Sequence, residues 1–169
     1  CAKVYAVIEK SSGDLLILKE RKSTYDALTE AKLLKSLRDH PCIVLFKDAF
    51  YIAQSQTICL LMERAKIDLE KTLETQYVCR HRQVPIALAC SWIAQIALGL
   101  ENVHDLHILH RDVKPANLFF LPDNRLVLGD FGVSKRVMPS TDCTKTFLGT
   151  PFYLSPEIML RHEYDEKSD

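Results

Sequence analysis

Strand-like apolar spacing dominates this chain up to about residue 65 and helical spacing dominates the rest, and that change limits the fold more than any other feature of the sequence. Before it, short apolar runs alternate with turn chemistry. Residues 3–9 and 14–19 read as two strands joined through Ser11-Ser12-Gly13-Asp14, and residues 43–50 and 57–62 as two more. Between these pairs Leu28, Ala31 and Leu34, with Leu33 and Leu37 on the adjoining row, recur at helical spacing, and His40-Pro41 stops the run. After residue 65 the helical period takes over. Residues 68–75 predict a short helix. Residues 85–104 predict a long one, with Pro85 near its first turn and Ile86, Leu88, Ala89, Ile93, Ile96, Ala97 and Leu100 on its apolar face. Short strands at 118–121 and 126–128 flank Pro122-Asp123-Asn124, and residues 130–156 read as one long loop. The expectation is an α+β chain in two parts, a sheet-rich 1–65 with one helix and a mainly helical 66–169, with a cleft between them as the natural place for a ligand.

Charge narrows the function. Lysine plus arginine equals aspartate plus glutamate at 22 each, so the chain has no bulk reason to bind nucleic acid or an anionic membrane. Any affinity for phosphate must be local. The six cysteines are scattered with no CxxC pair, which suggests free, mostly buried thiols in a reducing compartment. No signal peptide is visible, and the apolar stretch 86–100 is interrupted by Ser91 and Gln95 and is short for a bilayer span. A cytoplasmic or nuclear location is expected.

Three segments carry chemistry. The first is His110-Arg111-Asp112-Val113-Lys114-Pro115-Ala116-Asn117. Phosphoryl transfer needs an acceptor for a hydroxyl proton, a cation on the migrating group and a magnesium ligand, and Asp112, Lys114 and Asn117 supply these in one short run. The second is Asp130-Phe131-Gly132, 18 residues after Asp112, where a carboxylate at a glycine turn suits a divalent cation. The third is Gly149-Thr150-Pro151-Phe152-Tyr153-Leu154-Ser155-Pro156-Glu157.

Together these blocks resemble the catalytic loop, the metal-binding loop and the end of the activation segment of protein kinases, with Ser-Pro-Glu where that family usually has Ala-Pro-Glu. Lys114, two residues after the aspartate, resembles the serine/threonine branch. Gly129–Lys135 and Gly149–Glu157 are similar in wording to NIMA-related kinases. The resemblance implies the two-lobed protein kinase fold, truncated at both ends, with ATP and Mg2+ as cofactors. The implied substrate is a protein with a serine or threonine acceptor. Asp112, Lys114 and Asn117 would be catalytic, and Asn117 and Asp130 would hold the metal. Thr150 would bridge Asp112 and Lys114.

The same resemblance assigns Lys19 to the phosphates and Glu30 to its ion-pair partner, with Val4, Ile17, Met62, Glu63, Ala65 and Phe119 around the nucleotide. Met62 would be the gatekeeper and Glu63 to Ala65 the hinge. Leu34, Phe46, His110 and Phe131 would stack as a spine between the lobes, and Asp169 would brace the catalytic loop. Arg111 could hold a phosphate on Thr146, placed there by an upstream kinase or by autophosphorylation. Val133 would favour threonine acceptors.

Departures from the pattern matter. The first glycines of the phosphate-covering loop would precede residue 1, and its third position reads Ala2. Ile17 stands where a small residue usually covers adenine. Only 11 residues separate Lys19 from Glu30, so either the helix sits close to its strand or the pair is imperfect. A non-catalytic kinase-like scaffold is the first rival, and a small-molecule phosphotransferase the second. The 169 residues alone are expected to be poorly stable and inactive. Blander readings also stand: His110 as a packing residue rather than part of a zinc site with His104 and His107, Asp68 as a helix cap rather than a ribose ligand, and Arg80-His81-Arg82 as a solvated turn rather than a docking point.

Overall fold

The computed structural model describes residues 2–37, 39–137 and 149–169. Thr146 and two of the cysteines, Cys1 and Cys143, lie outside them. Strands β1 (Lys3–Ile8) and β2 (Leu15–Lys22) form a hairpin, followed by helix α1 (Tyr25–Leu37) and strands β3 (Phe46–Ile52) and β4 (Thr57–Glu63). They make one antiparallel sheet in the order β1-β2-β4-β3. Gly13 closes the first hairpin at φ 79°, a left-handed value that glycine adopts without strain. Only Ser23 and Thr24 separate β2 from α1. They suffice because Ser23 N–H donates to Gln56 and the Thr24 hydroxyl accepts from Ala27 N–H at 3.2 Å as a cap.

Strand β5 (Ile67–Asp68) leads into helix α2 (Leu69–Leu73), capped by the Asp68 carboxylate on Lys71 N–H at 2.8 Å, and a wider turn over Glu74–Val78. The long helix α3 (Ile86–Asp105) follows, then β6 (Ile108–Leu109), β7 (Leu118–Phe120), β8 (Leu126–Leu128) and β9 (Lys135–Arg136). A short helix α4 (Pro156–Met159) lies near the end of the chain. β5-β7-β8 form a three-stranded sheet and β6-β9 a pair. The expected single loop over 130–156 thus contains β9 and a 3-10 turn at Pro151–Tyr153.

The strand expected over 43–50 begins at Phe46 instead. Ile43 bridges Leu128 of β8, Val44 N–H donates to the Leu128 carbonyl, and Leu128 N–H returns to the Cys42 carbonyl. These residues therefore bond to the helical part while β3 belongs to the sheet. α3 comes so close that a Cβ on Gly99 would lie 2.9 Å from the Cys42 carbonyl oxygen. One continuous core results, running from Leu33, Leu34 and Leu60 to Trp92, Val103 and Leu126.

The expected apolar face of α3 is only partly the buried one. Trp92, Gly99 and Val103 are buried, and Ile96 and Leu100 pack against the core, but Ile86 and Ile93 are 83% and 65% exposed. The stripe facing the core runs through Trp92, which edge-to-face contacts with Tyr77 and Phe120 hold in place. The helix is also longer than the apolar stretch that defined it. At 20 residues it is long and apolar enough to cross a membrane by length and composition, so shortness is no argument against that. Its packing on β8 and the Gln95 side-chain Oε1 accepting from Leu126 N–H are what tie it into this core. Among the described cysteines Cys42 and Cys59 are buried and free, whereas Cys79 and Cys90 are free and exposed, so burial is less general than expected.

Candidate active site

A cavity of about 360 Å³ opens between the four-stranded sheet and the β7-β8 hairpin. Its roof is Val4 and Ile17 from β1 and β2, and its floor Phe119 from β7. Met62, Glu63 and Ala65 form the edge where the chain leaves β4. Lys19, Glu30 and Asp130 form the inner end, so every nucleotide-contacting residue expected from the sequence lies on one wall or another of this hollow. Glu63 is doubly tied to the preceding segment, its N–H donating to the Leu45 carbonyl at 3.0 Å and its carboxylate accepting from Leu45 N–H at 2.6 Å.

Lys19 Nζ lies 2.7 Å from Glu30 Oε1 and 2.7 Å from Asp130 Oδ1. The short spacing between Lys19 and Glu30 therefore leaves the pair intact, because the two-residue link from β2 starts α1 directly beside the strand. Burial opposes the Lys19 ammonium, but the Glu30 and Asp130 charges outweigh it and raise its pKa above the usual lysine value. Burial likewise opposes the Asp130 carboxylate, and Lys19 outweighs it, holding the pKa below the usual range. Asp130 sits at φ 55°, a left-handed value rare for a non-glycine residue, and its side chain is 47% exposed.

The second cluster lies on the segment between β6 and β7. Asp112 Oδ1 accepts from the Thr150 hydroxyl at 2.8 Å, and Oδ2 accepts from Asn117 Nδ2 at 2.8 Å and faces Lys114 Nζ at 2.8 Å. Lys114 Nζ also donates to the Thr150 hydroxyl. Burial would raise the Asp112 pKa, yet the bonds from Lys114, Thr150 and Asn117 outweigh it and lower it. Pro115–Asn117 is a 3-10 turn that sets Asn117 against Asp112, and the Asn117 carbonyl accepts from Gly129 N–H at 3.0 Å, next to Asp130. This turn is the physical link between the two clusters.

A third set of contacts supports the loop from beneath. Asp169 accepts from His110 N–H at 2.7 Å and from Arg111 N–H at 2.6 Å, and its carboxylate lies 3.1 Å from His104 Nε2. Burial opposes its charge, and these donors, His104 first, keep its pKa below normal. Arg111 occupies φ 68°, and its Nε donates to the Val133 carbonyl at 2.6 Å. Gly149, at φ 113°, passes so close that a Cβ would meet the Arg111 carbonyl oxygen at 2.7 Å. His110 is buried, bonded to the Gly129 carbonyl at 2.9 Å and packed edge-on to Phe131 with ring centres 4.8 Å apart. Leu34 and Phe46 are buried in the same core as Phe131.

The histidines do not converge on a metal. His104 and His110 are turned to Asp169 and Gly129, and among the described residues no group of three His, Cys, Asp or Glu side chains is arranged to hold an ion. Asp68 is a cap, with Lys71 on both carboxylate oxygens, although it lines the cavity. Magnesium is a different case, since phosphates and water supply most of its ligands. Asp130 presents a half-exposed carboxylate to the cavity, and both Nδ2 bonds of Asn117 go to Asp112, which turns its amide oxygen away from that residue. Hard oxygen donors of this kind suit magnesium. Sequence reasoning passed over Arg21, which pairs with Glu30, and Lys71, at the cavity mouth. Arg21 lies two residues from Lys19 on the same strand face, a signal that the strand period contained.

The protein kinase domain model matches residues 1–169. Serine/threonine-protein kinase Nek11 of Homo sapiens is 37% identical over 177 residues, covering 98% of this chain and 27% of that protein. Serine/threonine-protein kinase Nek2 of Homo sapiens is 34% identical over 95% of this chain and 38% of its own length. Probable serine/threonine-protein kinase nek3 of Dictyostelium discoideum is 37% identical over 96% of this chain and 15% of its own. The chain thus spans well under half the length of these relatives.

Proposed function

Because this chain belongs to the protein kinase domain family, we propose that its protein transfers the γ-phosphoryl group of ATP to serine or threonine hydroxyls of protein substrates. The observation that carries this reading is the joining of two clusters through Asn117: Lys19, Glu30 and Asp130 at the end of the cavity, and Asp112, Lys114 and Thr150 beyond it. Adenine fits between Val4 and Ile17 above and Phe119 below, against the edge from Met62 to Ala65. The phosphates then run toward Lys19.

Asp112 orients the acceptor hydroxyl. Its lowered pKa makes it a weak base that stays ionised, suited to directing a proton donor rather than storing its proton early. Lys114, already beside Asp112, can turn its charge to the phosphoryl oxygens. Thr150 keeps the two in register by bonding to both. Asp130 and Asn117 would hold magnesium, which neutralises charge on the phosphates when bound. The rate then comes from positioning and charge, with no covalent chemistry asked of the protein. The short link, one of the features that suit a non-catalytic scaffold, does not prevent the Lys19–Glu30 pair from forming.

We place the boundary between the two lobes at residues 65 and 66. Thr146 is proposed as a phosphorylation site that docks on Arg111, and full activity of Thr146→Ala would refute that. The reaction itself is tested by following label from γ-labelled ATP into serine and threonine peptides with full-length protein. Transfer that disappears in Asp112→Asn supports the reading, and transfer that persists in that variant contradicts it.

A further inference from the structure

Glu30 is 1% exposed and carries a cation on each oxygen, Lys19 on Oε1 and Arg21 on Oε2. Lys19 in turn divides itself between Glu30 and Asp130. The four side chains form an alternating row: Arg21, Glu30, Lys19, Asp130. Arg21 also reaches the Asp-Phe-Gly turn, its Nη1 lying 3.2 Å from the place a Cβ on Gly132 would occupy. The residue is no bystander on the sheet surface, since its side chain is only 25% exposed.

In the function proposed above, Lys19 has to turn part of its charge to nucleotide phosphates while Asp130 turns to a cation. Glu30 would then sit in the interior with only a share of its lysine partner's charge. A buried carboxylate stripped of its counter-charge is strongly unfavourable, and the same attraction would pull Lys19 back. Arginine answers this well: it stays protonated, and its planar group holds a carboxylate in one orientation. We infer that Arg21 is a positioning residue that keeps Glu30 charged and fixed, so that Lys19 stays paired with it while sharing its charge with the phosphates of ATP. The short link between β2 and α1 makes this arrangement available, because it brings Glu30 over the strand position two residues beyond Lys19.

The inference rests on the phosphotransfer reading, and its test separates the two. Mg·ATP and adenosine affinities are measured by calorimetric titration on the full-length protein and on Arg21→Lys, Arg21→Met and Arg21→Gln. Loss of a charged bond that acts through Lys19 should weaken ATP about tenfold in Arg21→Met, leave adenosine within about twofold, and be restored to within about threefold by Arg21→Lys. Arg21→Gln decides by the same criterion if the methionine variant does not fold. Equal losses for both ligands, no loss, or tighter ATP binding would overturn the inference, as would failure of both neutral variants to fold, which makes Arg21 structural. A native protein that binds neither ligand removes the phosphotransfer reading and the inference with it.

Discussion

Lys19 and Glu30 stand on a strand and a helix and are fixed by opposite charge, whereas Asp112, Lys114 and Asn117 stand on a connecting segment, where hydrogen bonds to one another, to Thr150 and to the backbone add to the Asp112–Lys114 ion pair. In the sheet-rich part, regular elements supply the geometry and the ion pairs only finish it. In the helical part the reactive groups rest on a connecting segment whose only regular piece is the 3-10 turn at Pro115–Asn117. The loop is held by Asp169 from below, by Gly149 passing over the Arg111 carbonyl, and by left-handed backbone at Arg111 and Asp130. The first arrangement suits gripping a ligand that comes and goes, since ion pairs can exchange partners. The second suits a reaction, which tolerates little misplacement.

That contrast breaks most sharply under substitution of one residue from each part. Asp112→Asn should cut turnover about a hundred- to ten-thousandfold while ATP affinity stays within about twofold, read by steady-state kinetics and calorimetry. Lys19→Met should show the reverse emphasis, with ATP binding lost first. If both variants lost ATP binding equally, the division of labour would be wrong.

Stability should separate the parts next. Glu30→Ala leaves Arg21 without its carboxylate and Lys19 with Asp130 alone, and should cost about 3–5 kcal/mol in chemical denaturation. Asp169→Asn should cost about 1–3 kcal/mol at neutral pH, because two backbone donors lose a charged acceptor. Its pH dependence is distinctive. The folded pKa of Asp169 lies below the unfolded value, so its contribution is complete above the ordinary carboxylate range and is lost as pH falls through that range to the depressed folded value. The gap between native and Asp169→Asn stability should close on acidification, and a gap that stayed constant would deny the aspartate its charged role.

His110 provides the smallest effect. Burial lowers its pKa despite the Gly129 carbonyl, so the folded state resists a proton that the unfolded state accepts. Native stability should fall as pH drops below the ordinary imidazole value, by about 1 kcal/mol more than that of His110→Gln between neutral and mildly acidic pH.

Legibility in the sequence follows the same division. The run from His110 to Asn117 and the Asp-Phe-Gly turn were readable because loop geometry demands particular residues at fixed spacing. Lys19 and Glu30 became readable only beside them, since a lysine on a strand and a glutamate on a helix are ordinary. Arg21 stayed hidden because nothing in a strand pattern says which charged side chain finds a buried partner. Of the boundaries that misled, the strand start at Ile43 is a place where residues from one part pack on the other, and the outer face of α3 is one left exposed. Ile43 and Val44 look like strand by composition but spend their backbone bonds on β8. Periodicity placed Ile86 and Ile93 inward, while Trp92 set the face that packs.

The central claim is that both parts act on one phosphate chain, and crystals of the full-length protein with manganese and a non-hydrolysable ATP analogue test it most directly. The anomalous signal is expected beside Asp130 and Asn117, with the terminal phosphate beside Lys114 and the inner phosphates beside Lys19. Manganese and phosphates found away from those four side chains would contradict it.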